Sequence, residues 1–385
     1  MPIWTCLYTM VQLIYMEPHR RGALPLQLIQ ALIERGVIRG ADSENVNPAS
    51  LDLAISEEMY RVPGIIQPRS GERIRDLIER IGGTRHDRTY QLEVGASYIA
   101  RLNESIALPK SLHGFCNPKS TTGRHDVHVR VLQDGTARYD TLKPSEEIRE
   151  LWVAITPRSY PVIIEPGESL TQVRLFSGDT RLSEAGLRKM MADRRLLWRS
   201  EADGGGPIPY NALQISDEDG SLILSLDLAS DIVGYECVNP AQPLAFARRD
   251  YDPRDFYRPL TPHRGYLHLM PGRFYILSTK EFVRVPPELA CEMRPMDDRS
   301  GEFRAHYAGF IDPGWGWGAH GEGSGWPLTL EVRPYEPIIV GEGQPFAKIV
   351  FEHMMLVPNV LYETKKRSHY SGQIGPRLAK QFKTA

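Results

Sequence analysis

Ser50-Leu51-Asp52-Leu53-Ala54 recurs letter for letter as Ser225-Leu226-Asp227-Leu228-Ala229, 175 residues further on. A second set recurs at an offset of 177: Gly95, Tyr98, Ile99, Glu104, Pro109, Leu112 and Pro118 answer to Gly272, Tyr275, Ile276, Glu281, Pro286, Leu289 and Pro295. Spacing kept without a gap over so many positions means a duplicated domain, each copy on the order of 150–180 residues. Each half is then a control for the other, and what one keeps and its twin loses bears on function.

Around the repeats lie short alternating or β-branched runs at 90–92, 97–102, 127–132, 151–155 and 162–164, punctuated by Pro and Gly. Such closely spaced strands predict a barrel or jelly roll. Helices are few. One amphipathic segment covers 24–34, with Leu26, Ile29, Leu32 and Ile33 in one stripe and Gly36 closing it. Residues 71–80 read as a charged helix, and 182–199 has the charge density of a solvated linker helix. Asp203-Gly204-Gly205-Gly206-Pro207 divides the halves. The predicted organisation is an N-terminal extension (1–22), a first barrel (23–181), a linker (182–207), a second barrel (208–362) and a flexible C-terminal lid (363–385). The tail from Lys365 onward, with the stretch 368–376, is basic and polar and reads as too polar for core.

The chain of 385 residues has a formal net charge of -2, which excludes a globally basic nucleic-acid binder but allows a local patch for a phosphorylated small molecule. Cys6, Cys116, Cys237 and Cys291 form no Cys-x-x-Cys pair, so neither a disulfide framework nor a zinc knuckle is expected and a reducing cytoplasm fits. The apolar run from Ile3 to Met16 has no basic start and no small-residue cleavage site, so it reads as an extension ahead of a start at Met16. No run approaches the ~18 apolar residues of a membrane span.

Chemistry concentrates in Asn117-Pro118-Lys119-Ser120-Thr121-Thr122-Gly123-Arg124. A point-charge Lys, a forked Arg and adaptable hydroxyls suit a phosphate or polar ring, although a solvated turn has the same composition. The twin reads Arg294-Pro295-Met296-Asp297-Asp298-Arg299, whose carboxylates would repel a phosphate. The second half carries its own feature: Phe310-Ile311-Asp312-Pro313-Gly314-Trp315, a tight-turn sequence, then a glycine-rich excursion and Leu328-Thr329-Leu330-Glu331-Val332. Glu331 pointing inward would be a desolvated candidate base; pointing outward it is the polar face of an alternating strand.

These motifs, with Asn47-Pro48-Ala49-Ser50-Leu51-Asp52-Leu53 and the tail Tyr370-x-Gly372-Gln373-x-Gly375, resemble in order and spacing those of dCTP deaminase, in the dUTPase-like superfamily. The resemblance covers nearly the whole chain and matches a long, duplicated form. It implies two tandem distorted β-barrels related to the jelly roll, with a few short helices. It implies hydrolytic deamination of dCTP to dUTP and ammonia, with Glu331, Ser120 and Arg124 catalytic. Lys119, Thr121, Phe310, Asp312, Trp315, His369, Tyr370 and Gln373 would bind substrate. Lys119 stands where an Arg is usual, and His369 where a Lys is. Family sites form between barrels of a trimer, so each half can lose one motif set and leave a composite site, within one chain or between chains. A homo-oligomer, with a trimer favoured, is expected.

Mg²⁺ would arrive on the triphosphate, with no protein-bound metal. Zinc deaminases need His-x-Glu followed by Pro-Cys-x-x-Cys; His320-Gly321-Glu322 matches only the first part, and no Cys-x-x-Cys exists. His125 and His128 read as surface residues or supports of the site. Two rivals stay open: a dUTPase or bifunctional enzyme in which Asp312 orients water at phosphorus, and a non-catalytic nucleotide sensor.

Overall fold

The computed structural model describes residues 21–86, 90–215, 220–296, 298–304, 309–364 and 370–383. Most of the expected N-terminal extension, together with Asp297 and His369, lies outside them. The fold is mainly β. In the first half the strands run Val127–Gln133, Arg149–Pro157, Ser97–Ile106, Leu51–Val62, Ser169–Ser177, His113–Pro118 and Thr141–Leu142 across one curled sheet. Their inward residues, among them Leu53, Tyr98, Val129, Val153 and Leu175, form one core. Alternation of apolar and polar positions sets which face turns inward, because a slip of one residue would expose the whole apolar set.

The second half repeats these pairings over two sheets. Ile276 opposes Glu331 as Ile99 opposes Ala154, and Cys291 opposes Ile311 as Gly114 opposes Leu142. The barrels meet along a seam where Ala23, Ala49, Phe176, Ala290 and Met354 pack together. Small residues there let the two sheets approach closely.

Three expectations are corrected. The stretch read as a solvated linker helix is helical over Glu184–Arg194, capped by Ser183, but Leu187 and Met191 pack into the second barrel's core. Leu197–Trp198 then pairs with Phe282 and Val283. Two apolar residues at i and i+4 suffice for a buried stripe that a count of charges conceals. The tail is not too polar for core either: Tyr370 is buried in the second core, and Ala379 and Phe382 in the first. Of the two readings of His125, surface residue or support of the site, burial rules out the first. His125 is fully buried, with Nδ1 2.7 Å from the Tyr160 hydroxyl and Nε2 2.9 Å from Gln381 Oε1. Burial lowers its pKa to about 4, so it is neutral and ties the tail to the first barrel.

Among the described residues no helix is long and apolar enough to cross a membrane.

Candidate active site

The cradle begins where strand His113–Pro118 stops. Pro118 has no amide hydrogen to extend a ladder, and the chain turns into the short helix Ser120–Arg124. Thr122 faces back into the barrel, its hydroxyl donating to the Leu170 carbonyl at 2.8 Å. Ser120, Thr121 and Arg124 thereby face a cavity of about 450 Å³ between the barrels. Lys119, at the helix start, pairs with Asp52, which also accepts from Asn47 Nδ2 at 2.8 Å.

From the second barrel comes the Phe310–Ile311 strand and its turn. Gly314 has φ +93°, and a Cβ there would lie 2.7 Å from the Leu361 Cβ and 2.9 Å from the Tyr362 amide. Only glycine fits both the conformation and the approach of the tail's root. Trp315 packs edge-on to Trp326 with ring centroids 5.1 Å apart. Beneath this hairpin Arg174, from the first barrel, is fully buried. It donates to Asp312 Oδ1 at 3.3 Å, Glu352 Oε2 at 3.2 Å, and the carbonyls of Cys291 at 3.1 Å and Ile311 at 3.4 Å. Its guanidinium also lies 4.3 Å from the Phe310 ring centroid.

Glu331 points inward, 2% exposed, on strand Trp326–Pro334. Its carboxyl atoms lie 2.7–2.9 Å from where a Cβ on Gly123 would stand, so the carboxylate of one barrel rests on the cradle helix of the other. Two residues along the strand, Arg333 pairs with Asp126, whose Oδ2 accepts from the Ser159 hydroxyl at 2.6 Å. This pair fastens the two elements that carry Glu331 and Gly123.

The tail closes one wall. Tyr370 OH lies 2.9 Å from Thr121 Oγ1, and the Arg124 guanidinium sits 3.7 Å from the Tyr370 ring centroid. Arg124 donates to Gln373 Oε1 at 3.3 Å and to the Arg377 carbonyl at 2.9 Å. Burial lowers the Arg124 pKa from its ordinary value, while Tyr370 and then Glu331 oppose that shift.

Glu331, Ser120, Arg124, Lys119, Thr121, Phe310, Asp312, Trp315, Tyr370 and Gln373 thus surround one cavity within a single chain. His369 lies outside the described residues. Sequence reasoning missed Arg249 and Lys380, which line the same cavity, because cations 131 positions apart share no local pattern. It missed Thr329 too. Thr329 Oγ1 and Arg124 Nε are buried polar atoms of the cavity wall with no hydrogen-bond partner among the described residues. Such atoms cost free energy until a ligand satisfies them. The alternation around Glu331 could have found Thr329, two residues earlier on the same face.

Lys380 is informative about charge. Burial, then the nearby cations Lys119 and Arg249, pull its pKa from the usual lysine range to about 8. Three cations gathered this tightly are stabilised by a polyanion. Among the described residues no group of three or more His, Cys, Asp or Glu is placed to hold a metal ion. Glu322, from the His320-Gly321-Glu322 sequence, instead accepts from the amides of Ala319 at 3.0 Å and His320 at 2.7 Å.

Residues 20–179 match the family model described as the 2'-deoxycytidine 5'-triphosphate deaminase (DCD) N-terminal domain, and residues 208–382 match the model of its C-terminal domain. Among solved structures, the crystal structure of 2'-deoxycytidine 5'-triphosphate deaminase from Agrobacterium tumefaciens is 34% identical, with a TM-score of 0.78. The match covers 88% of this chain and 97% of that one. No curated protein matches significantly. With both domain models in order and a relative of this identity matched over nearly its full length, the chain belongs to the dCTP deaminase family.

Proposed function

We propose that this chain hydrolyses dCTP to dUTP and ammonia in one composite site per chain. The observation that carries this reading is the buried Glu331 carboxylate resting on the cradle helix of the other barrel. Water lies between Glu331 and the cytosine ring. Glu331 takes a proton as the oxygen attacks C4 and returns it to N3 or the departing amine, so that water enters and ammonia leaves. Ser120 and Arg124 position that water and stabilise the charge that develops. Phe310 and Trp315 hold the ring, with Thr329 offering a hydroxyl to its edge.

Lys119, Arg249 and Lys380 receive the triphosphate; Tyr370, Gln373 and, by family resemblance, His369 close over it. Mg²⁺ travels with the substrate, held by phosphate oxygens. The dUTPase reading asks Asp312 to orient water at phosphorus, yet that carboxylate already accepts from Arg174 at 3.3 Å, which favours a role in shaping the hairpin. Among the described residues Cys116, Cys237 and Cys291 are free and buried, and a reducing cytoplasm is the proposed compartment. A trimer remains the family-based expectation, and sedimentation of the purified chain measures it. The reading as a whole is tested by ammonia release from dCTP with chromatographic separation of dUTP from dUMP; dCTP bound without ammonia would mark a sensor, and dUMP would add the second activity.

Two further outcomes follow. Gly123→Ala puts a methyl group within 2.7–2.9 Å of the Glu331 carboxyl atoms. A flexible side-chain end swings away at small cost, so the fold is kept while kcat falls about a hundredfold. A kcat within about threefold of wild type would remove Gly123 from the argument. The second concerns pH. Lys380 is charged below about 8 and neutral above it, and phosphate prefers the charged amine. Affinity for dCTP therefore falls as pH rises through that value, and Lys380→Met flattens the profile. Equal slopes in both proteins would exclude Lys380 as a phosphate ligand.

A further inference from the structure

Duplication leaves two cavities on the seam between the barrels, and their linings correspond. Asn117 opposes Gln172 as Arg294 opposes Lys348, and Phe115 opposes Thr141 as Glu292 opposes Phe310. The second cavity, of about 610 Å³, is lined by Arg294 and Pro295, the twins of Asn117 and Pro118 that open the cradle. Thr141, at the register of Phe310, lies across from them. In this copy Ala154 holds the register of Glu331, so the base is gone.

A cavity released from catalysis is free to fill with apolar side chains, as barrel interiors do. This one is open and basic instead. Arg130, Arg138, Arg181, Arg294 and Arg304 line it, against the carboxylates Asp179, Glu292 and Glu352. Arg130 pairs with Asp140 at 2.8 Å, Arg181 with Asp179 and Arg294 with Glu292 at 3.1 Å; each arginine side chain is more than a third exposed, while Asp140 and Glu292 are buried, so the Arg181–Asp179 pair is the weak surface pair of the three. Arg294 also keeps a buried Nε with no hydrogen-bond partner among the described residues. Forked guanidiniums converging from both barrels match phosphate oxygens in pairs. Beside them the half-exposed Phe115 and the buried Phe176, on which His113 stacks with ring centroids 5.5 Å apart, line the cavity.

We propose that this second cavity is a non-catalytic site for a nucleoside polyphosphate. Its phosphates lie on Arg138, Arg294 and Arg130, and its ring against Phe115 and Phe176. Occupancy is felt at the first site, since Met293 lines both cavities and Asn117 Nδ2 donates to Glu292 Oε1 across the seam at 3.2 Å.

The test is calorimetric titration of the full chain carrying Glu331→Gln, which slows turnover about a thousandfold, with inorganic tripolyphosphate and separately with dCTP. Two binding events per chain are expected. Adding Arg138→Glu with Arg294→Glu weakens one of them at least about tenfold, and adding Lys119→Ala with Lys380→Met weakens the other. In a Glu331 background the Arg138→Glu and Arg294→Glu pair still releases ammonia from dCTP, since neither arginine lines the first cavity. Because Arg294 is partly buried, Arg138→Glu alone repeats the measurement with an exposed side chain. A single event in the parent chain, or two events indifferent to the arginine reversals, overturns the proposal. Tighter binding of dCTP than of tripolyphosphate at this site supports the nucleoside contact; equal binding overturns that part. Binding is read without ammonia, so failure here and failure of the deaminase reading are separate results.

Discussion

Glu331→Gln will still bind dCTP but release ammonia about a thousandfold more slowly than the unaltered chain, within the range that a positioned general base contributes. The substitution keeps shape and removes only the proton acceptor, so KM stays within a few-fold while kcat falls. Two features make the effect large. The side chain is 2% exposed, so bulk water offers no easy substitute. Two other carboxylates of the cavity wall, Asp52 and Asp312, are paired with Lys119 and Arg174, and Arg124, Ser120 and Thr329 are donors or hydroxyls, so none of these stands in for Glu331 as base. Wild-type ammonia release from the variant would exclude Glu331 as the base and move the chemistry elsewhere in the cavity. Loss of dCTP binding alongside activity would make Glu331 a substrate ligand rather than a base.

Arg174→Ala is expected to have the largest effect on stability, about 3–5 kcal/mol, the usual result of removing one partner from a buried ionic cluster. Arg174 is fully buried between the barrels, and its loss strands Asp312 and Glu352 with one cation fewer. Three carbonyls lose a donor at the same time, those of Ala49, Cys291 and Ile311. Because Asp312 and Ile311 belong to the hairpin, KM for dCTP rises with the loss of stability. Arg174→Lys separates the two effects. A single ammonium reaches one carboxylate but cannot serve both and cover the Phe310 ring, so stability recovers in part while KM does not. Urea unfolding and steady-state kinetics of both variants provide the check. A loss under about 1 kcal/mol for Arg174→Ala would mean that the seam is held by its apolar contacts and by the Arg333–Asp126 pair rather than by Arg174.

The repeats carried much of this on their own. A duplicated domain follows from Ser50–Ala54 and its copy, and a β fold from alternation, because strand periodicity is local and survives whatever packs above it. Asymmetry was equally plain. Lys119–Arg124 faced a twin with Asp297 and Asp298, and Glu331 faced a twin strand with no carboxylate. Chain chemistry is written in residue types, so the comparison of halves could say which groups were kept.

Which groups meet was not written there. Whether Glu331 faced in or out was undecidable from an apolar strand that alternates weakly; it is the pairing with Ile276 and the packing of the second barrel that turn it inward. Burial of Ala379 and Phe382 in the first core, with His125 against Phe382, depends on the tail crossing back from the second barrel to the first, a contact between positions more than 250 residues apart. Lys380 and Arg249 became visible only beside Lys119. The reason is physical: propensity and periodicity act over a few residues, whereas a buried charge is decided by neighbours brought from far along the chain. What kind of domain this is, and that it occurs twice, belonged to the sequence. That one chain closes one site around Glu331, and leaves a second basic cavity open beside it, was decided by how the two barrels dock.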